Sequence, residues 1–219
     1  MLVQSASDDE HDSEAAPNRF ATARPSIVVL PFESDLADDA AGDIARGIVH
    51  DLITRIARSR ALFVIARGTS FHFASGNRDI GSIGAELGVR YAVQGAIRLS
   101  GSKLTVVVGL AETSTRAELW SERFDRRRDD FMQVQEEILE QIVSCLEAEI
   151  VRNEIRRSML MPSSNLDAWS AYHRGVHHMY RFTDRDCDFA EELFRRSIAM
   201  EPGVPRPQGC DSCASSGPS

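Results

Sequence analysis

The sequence predicts an α/β domain with a mixed parallel and antiparallel sheet and covering helices, followed by a C-terminal α-helical hairpin. Three observations predict it. Short apolar, β-branched blocks at 26–32 and 62–66 alternate with helical periods in the first part of the chain. Further blocks at 91–99, 104–111 and 118–124 follow one another through short turns with no helix between them. Beyond residue 166 the apolar residues recur only at helical spacing. Crossover helices make neighbouring strands parallel, whereas short turns make them antiparallel, so one sheet carries both kinds of pairing.

The elements follow in order. Residues 1–24 carry Asp8, Asp9, Glu10, Asp12 and Glu14 without a hydrophobic period, which predicts a disordered acidic arm. The run at 26–32 reads as a central strand closed by Pro31, whose missing donor suits a strand end. Ile44, Ile48, Leu52 and Ile56 recur every fourth residue with Ile53 beside them, while Arg46, His50, Asp51 and Arg55 fall elsewhere on the wheel. This is an amphipathic helix leading to the strand at 62–66. Residues 79–88 read as a short helix with Asp79 as N-cap and Gly88 as C-cap. Ser100-Gly101-Ser102 turns the first hairpin of the meander.

Asp129 or Asp130 caps a long helix in which Phe131, Val134, Ile138, Ile142, Cys145, Leu146 and Ile150 trace one face. Glu136, Glu137, Glu140, Glu147 and Glu149 trace the other, and Arg152, Arg156 and Arg157 suit the dipole at the C-terminal end. Trp120, Phe124 and Phe131 are expected in the core or at a domain interface. The stretch from Met161 to Asn165 closes the domain, which spans 25–160. Helices at 166–180 and 188–200 make a pair spanning 166–202, and the low-complexity residues 203–219 predict a disordered tail.

With 219 residues and 42% apolar content, one ordinary domain and a smaller appendage are expected. A formal charge of -8 argues against nucleic-acid binding, which needs an excess of clustered Lys and Arg. No apolar stretch approaches the roughly 20 residues that cross a bilayer, so a cytoplasmic location without membrane attachment is expected. Cys145, Cys187, Cys210 and Cys213 are scattered, as in a reducing compartment.

The search for chemistry returns few candidates. No glycine-rich loop ends in Lys-Ser or Lys-Thr, and Lys103 is the only lysine. Gly81, Gly84 and Gly88 lie within or at the end of a helix, where packing and capping explain them better than phosphate binding. Ser70, His72 and Asp79 lack the elbow that exposes a nucleophile. The stretch 67–73, read as a loop, leaves a parallel strand at its carboxyl end, where open α/β sheets bind ligands. Arg67, Thr69, Ser70 and His72 are therefore a candidate ligand loop, the alternative being that Phe71 and Phe73 cover the sheet edge. His173 and His177 have zinc spacing with His178 beside them, but Arg174 stands where a zincin helix has glutamate. Cys210 and Cys213 lack a second pair, and Arg126, Arg127 and Arg128 with Asp129 and Asp130 suit a solvated turn. No catalytic residue, cofactor or metal is assigned, and no enzyme activity is expected.

In combination, Pro25-Ser-Ile-Val-Val-Leu-Pro-Phe32, Arg46-Gly-Ile-Val-His-Asp-Leu-Ile53, Glu86-Leu-Gly-Val-Arg-Tyr-Ala-Val-Gln-Gly-Ala-Ile-Arg98, Glu118-Leu-Trp-Ser-Glu-Arg-Phe-Asp125 and Phe131-Met-Gln-Val-Gln-Glu-Glu-Ile138 resemble, in this order, the domain similar to the TolB amino-terminal domain. Gly175, Ala190, Phe194, Ser197 and Pro202 fall where a first tetratricopeptide repeat has its small, aromatic and proline positions. The resemblance implies a bacterial signalling protein. In such proteins the domain stands between repeats and an output domain, either a class III adenylate or guanylate cyclase or a winged helix of the HilA-like and CadC-like regulators.

Arg46 and Arg116 depart from the acidic residue and the glycine that the family pattern would place there. The output domain is absent before Arg24, and the next repeat gives way to residues 203–219, as a truncated or frame-shifted product would explain. The implied role is a non-enzymatic sensory or protein-interaction region. A protein or peptide partner, or self-association through the hairpin, would engage Trp169, Tyr172, Leu193, Phe194 and Ile198. Alternatives are a winged-helix regulator lacking its DNA-binding domain, a region attached to a class III adenylate cyclase, and a small-molecule sensor.

Overall fold

Strand β1 (Ser26–Val29) is buried at all four positions because it has a neighbour on each edge and helices on each face. In the computed structural model, which describes residues 24–34, 39–73, 79–127 and 131–205, β1 runs parallel to both β3 (Phe63–Val64) and β4 (Tyr91–Ser100). Antiparallel β5 (Lys103–Glu112) and β6 (Ala117–Arg127) complete the order β3-β1-β4-β5-β6, and the two-residue β2 (Glu33–Ser34) pairs with β4 beyond the end of β1. The mixed sheet read from the sequence is thus the sheet observed. Gly101, at φ 59, turns β4 into β5, and Ser100 and Lys103 close the ladder on either side of it.

The two faces of the sheet are covered unequally. Ile27 and Val29 point to the larger core, shared by α1 (Asp39–Ile56) and α4 (Phe131–Leu160), whereas Val28 points to a smaller one under α3 (Ile80–Leu87). A strand buried on both sides reads as a continuous apolar run, which is why Ser-Ile-Val-Val shows no alternation. On α1, Ile48, Leu52, Ile53 and Ile56 are buried and Ile44 packs beside them. On α4, Ile138, Ile142, Leu146 and Ile150 are buried at the predicted spacing.

Both predicted caps of α3 form. Asp79 accepts from the Ser82 amide, and Gly88 takes the left-handed conformation at φ 63. Gly84 is required by close approach, since a Cβ there would lie 2.3 Å from Cβ of Thr113. Arg116 occupies a left-handed position, φ 59, that favours glycine, and its guanidinium grips the Asp79 carboxylate at 2.7 to 2.9 Å. That pairing links the β5–β6 turn to the start of α3.

Several expectations need correction. The stretch 67–73 is helix α2 (Arg67–Phe73), not a loop. The strand expected at 62–66 shrinks to two paired residues because it forms the sheet edge, although Leu62 and Ile65 on either side remain buried. Helix α6 (Asp184–Met200) starts four residues before the expected 188, where the Thr183 side chain accepts from the Asp186 amide. The acidic residues of the arm, Arg128, Asp129, Asp130, Cys210 and Cys213 lie outside the described residues.

Helix α5 (Ala168–Met179) packs against α4 and α6, and Gly175 sets its distance from α6. A Cβ on Gly175 would sit 2.6 Å from the Phe194 ring. Ser197 is buried and donates to the Ala168 carbonyl at 2.7 Å, fixing the other end of the contact. Leu193 and Phe194, expected to engage a partner, are instead buried, because the hairpin closes on them. Val204 folds back and is buried with Ala168 and Trp169, covering part of the pair. No helix among the described residues is long and apolar enough to cross a membrane.

Candidate functional site

Two places draw functional side chains together. The first is a crevice of about 280 Å³ beyond the carboxyl end of β1, lined by Pro31, Phe32, Ser34, Gly42, Ala45, Arg46, Val49 and Phe71. It lies where an open α/β sheet places a ligand. Of the segment expected to supply ligand contacts, only Phe71 lines it. Ser70 is fully buried and donates to the Ala66 carbonyl one helical turn back, Arg67 stacks over the Phe71 ring at 4.9 Å, Thr69 is half-buried and His72 is exposed. Helix formation scatters these four residues around α2, so they do not converge. Ser70, His72 and Asp79 do not assemble either, since Ser70 is sealed and Asp79 is held by Arg116.

The second place is a buried polar network where the sheet, α4 and α5 meet. Glu154 sits one turn beyond Ile150 on the same stripe of α4 and is 1% exposed. Both its oxygens accept from Arg90 Nη1 at 2.7 Å, and one also accepts from the Tyr91 hydroxyl at 2.5 Å. Asn153 donates to the Tyr91 oxygen at 3.0 Å and to Glu112 Oε1 at 3.4 Å. Glu112 is also paired with Arg157 and accepts from Thr115 Oγ1 at 2.8 Å. The network therefore ties the start of β4 and the end of β5 to the last turns of α4.

Its electrostatics follow from burial and pairing. Burial, then the Glu154 charge, pushes the Tyr91 hydroxyl well above the ordinary phenol range. Burial alone would raise Glu112, but the hydrogen bond from Thr115 and the Arg157 guanidinium hold its carboxyl below the usual range. Burial likewise opposes the charge on Arg90, and the Glu154 carboxylate outweighs it. Against this network stands His173, buried between Trp169 and Tyr172, with neither ring nitrogen partnered by protein.

No protein-family model matches the chain. A curated protein named "Putative adenylate cyclase 3" from Rhizobium meliloti (strain 1021) is 31% identical over 190 residues, which is 87% of this chain. The chain spans about a third, 32%, of the length of that relative. Among solved structures, TolB from Acinetobacter baumannii is similar over 56% of this chain and 28% of its own, with 19% identity and a TM-score of 0.40. Lipoprotein GNA1162 from Neisseria meningitidis is similar over 53% of this chain and 95% of its own, with 13% identity and a TM-score of 0.42.

The residues expected to form an interaction surface are mostly interior. Trp169, Leu193 and Phe194 are buried, and Tyr172 and Ile198 are half-buried. Among the described residues the exposed aromatics are instead Tyr180, Phe182 and Phe189, at the tip where α5 turns into α6. Of the three histidines, His173 faces inward, while His178 Nδ1 lies 2.8 Å from Asp186 and its ring touches that of His177. Among the described residues, no three or more His, Cys, Asp or Glu side chains are grouped to hold a metal.

His173 gives a pH-dependent prediction. Burial lowers its pKa below the ordinary value of 6.5, so the folded state holds the ring neutral while the unfolded chain binds a proton at higher pH. The resulting stability is present above about pH 6.5 and is lost as pH falls below it. Urea midpoints should drop between pH 7.5 and 5.5 in the parent chain and change less in His173→Gln.

Proposed function

We propose that this chain is a non-enzymatic sensory or protein-interaction region of a bacterial signalling protein. The α/β unit over 25–160 and the hairpin over 166–202 act as two coupled parts. The observation that carries this reading is the buried network of Arg90, Tyr91, Glu112, Asn153, Glu154 and Arg157, which braces the sheet against the helix on which α5 rests. The Thr115 hydroxyl and the Arg157 guanidinium hold the Glu112 carboxyl below the usual range, which suits bracing and transmission better than proton transfer. A ligand at the β1 crevice, or a protein or peptide at the hairpin, would then be felt by the other part. The hairpin serves as a first tetratricopeptide unit, with Gly175 and Phe194 as its close contact.

The name of the curated relative favours attachment to a nucleotide cyclase over attachment to a winged-helix regulator. Purified chain incubated with ATP or GTP and Mg²⁺ or Mn²⁺ should form no cyclic nucleotide. Reproducible product from the chain alone would replace this reading with an enzymatic one. The genomic sequence on either side of the coding region decides between the two attachments: a cyclase frame supports the reading, and a winged-helix frame moves the chain to the transcription regulators.

A further inference from the structure

The last strand of the sheet is an open edge of unusual regularity. Among the described residues β6 pairs only with β5, so the backbone groups along its outer edge have no strand partner. It is 11 residues long and contains neither glycine nor proline. Its one irregularity, a register shift opposite Leu110 and Ala111, falls near its start and leaves 121–127 in regular register. Natural sheets blunt such edges with very short strands, proline, bulges or charge. The opposite edge follows that rule, since β3 has only two paired residues. Over the regular stretch 121–127 of β6 only charge is available, and its order is informative.

The segment Glu122-Arg123-Phe124-Asp125-Arg126 is self-complementary when read against itself in reverse. In an antiparallel pair centred on Phe124, Arg123 meets Asp125 of the other copy and Glu122 meets Arg126, and each pairing occurs twice by symmetry. Phe124 lies at the two-fold axis. Shifting the centre by one residue puts Arg123 opposite itself or Asp125 opposite itself, so like charges reject the neighbouring registers. The faces agree with this pairing. Arg123 and Asp125, which pair with each other at 3.2 Å within the strand and would exchange that partner for its counterpart on the other copy, are both exposed on the side of the sheet away from α4. Glu122 and Arg126 are half-buried on the side of Phe124, where Glu122 accepts from Gln141 of α4 at 3.0 Å. Arg126 bonds only the neighbouring Asp125 carbonyl and makes no ion pair among the described residues, so it can receive a carboxylate.

We infer that the occupant of this edge is a second copy of the same chain. Two β6 strands pair antiparallel about Phe124 and join two sheets into one across an isologous interface. This goes beyond the functional reading above and does not depend on it, because it concerns the sheet edge and not the hairpin.

Sedimentation equilibrium of the full chain should show a monomer–dimer equilibrium that weakens as salt is added. Arg123→Asp places two acids opposite each other at both symmetric positions and should weaken dimerisation by roughly tenfold or more. Combining Arg123→Asp with Asp125→Arg restores the complementary order and should restore the dimer. Thermal melts under dilute, monomeric conditions check that each variant folds. Hydrogen exchange at high concentration should add protection to amides within 121–127. A chain that stays monomeric at every concentration overturns the proposal. So does a dimer indifferent to Arg123→Asp, a charge swap that fails to restore association, or a dimer lost instead on replacing Phe182 and Phe189 by serine.

Discussion

Glu154→Ala is expected to lower the free energy of unfolding by about 3–5 kcal/mol, the range for removing one partner of a buried ion pair. Arg90 is 24% exposed, while the Glu154 side chain is 1% exposed. Its loss leaves the Arg90 guanidinium uncompensated and takes the acceptor from the Tyr91 hydroxyl. Denaturant unfolding of the parent and variant measures the difference. Two controls show that the effect is one of uncompensated burial. Glu149→Ala removes a carboxylate whose partner Arg152 is largely exposed, and should cost about 0–1 kcal/mol. Arg90→Met combined with Glu154→Leu removes both charges, leaves Asn153 bonded to Tyr91, and should recover most of the loss. If Glu154→Ala proves as mild as Glu149→Ala, the network does not brace the junction.

Leu52→Ala should cost about 2–5 kcal/mol, because Leu52 is fully buried in the core between α1, α4 and the sheet and the cavity it leaves cannot collapse against regular strands. His50, two residues earlier and exposed, should change stability by no more than about 0.5 kcal/mol on conversion to alanine. Denaturant melts that rank the two in the opposite order would place the wrong face of α1 inward.

The contrast between these positions was legible in the sequence, as were the mixed sheet and the caps of α3. Each rests on a local signal: a period of 3.6, a turn glycine, a capping aspartate. The misread segments lack such a signal. Helix α2 has seven residues, too few to show a period, and follows a strand of only two paired residues, so it reads as loop. The covering of Trp169 by Val204 depends on a single apolar residue in a polar tail, and no pattern announces a contact made by one side chain.

The buried network was missed for a different reason. The stripe Ile142, Leu146, Ile150 continues at the same spacing into Glu154, and that continuation was the available signal. A charge at the end of an apolar stripe reads as the stripe's end when its partners are unknown, and Arg90 and Tyr91 lie more than sixty residues away. Arg157 was likewise read through the helix dipole, whereas the structure pairs it with Glu112. Composition and spacing report which residues are apolar together, and long-range pairing of charges leaves no trace in either.

The position of β1 bears on the order in which the chain assembles. Its partners are distant, Val64 lying 37 residues from Ile27 and Tyr91 lying 64, whereas the β4–β5 ladder starts from the adjoining pair Ser100 and Lys103. Loop-closure entropy therefore favours the meander as the early structure, while the strand that ends up most deeply enclosed joins late, entering between two elements already in place. Until it does, the edge of β4 that will receive it stands open, with Ala92 and Val93 uncovered. Refolding yield is accordingly expected to fall as protein concentration rises, through association during that interval.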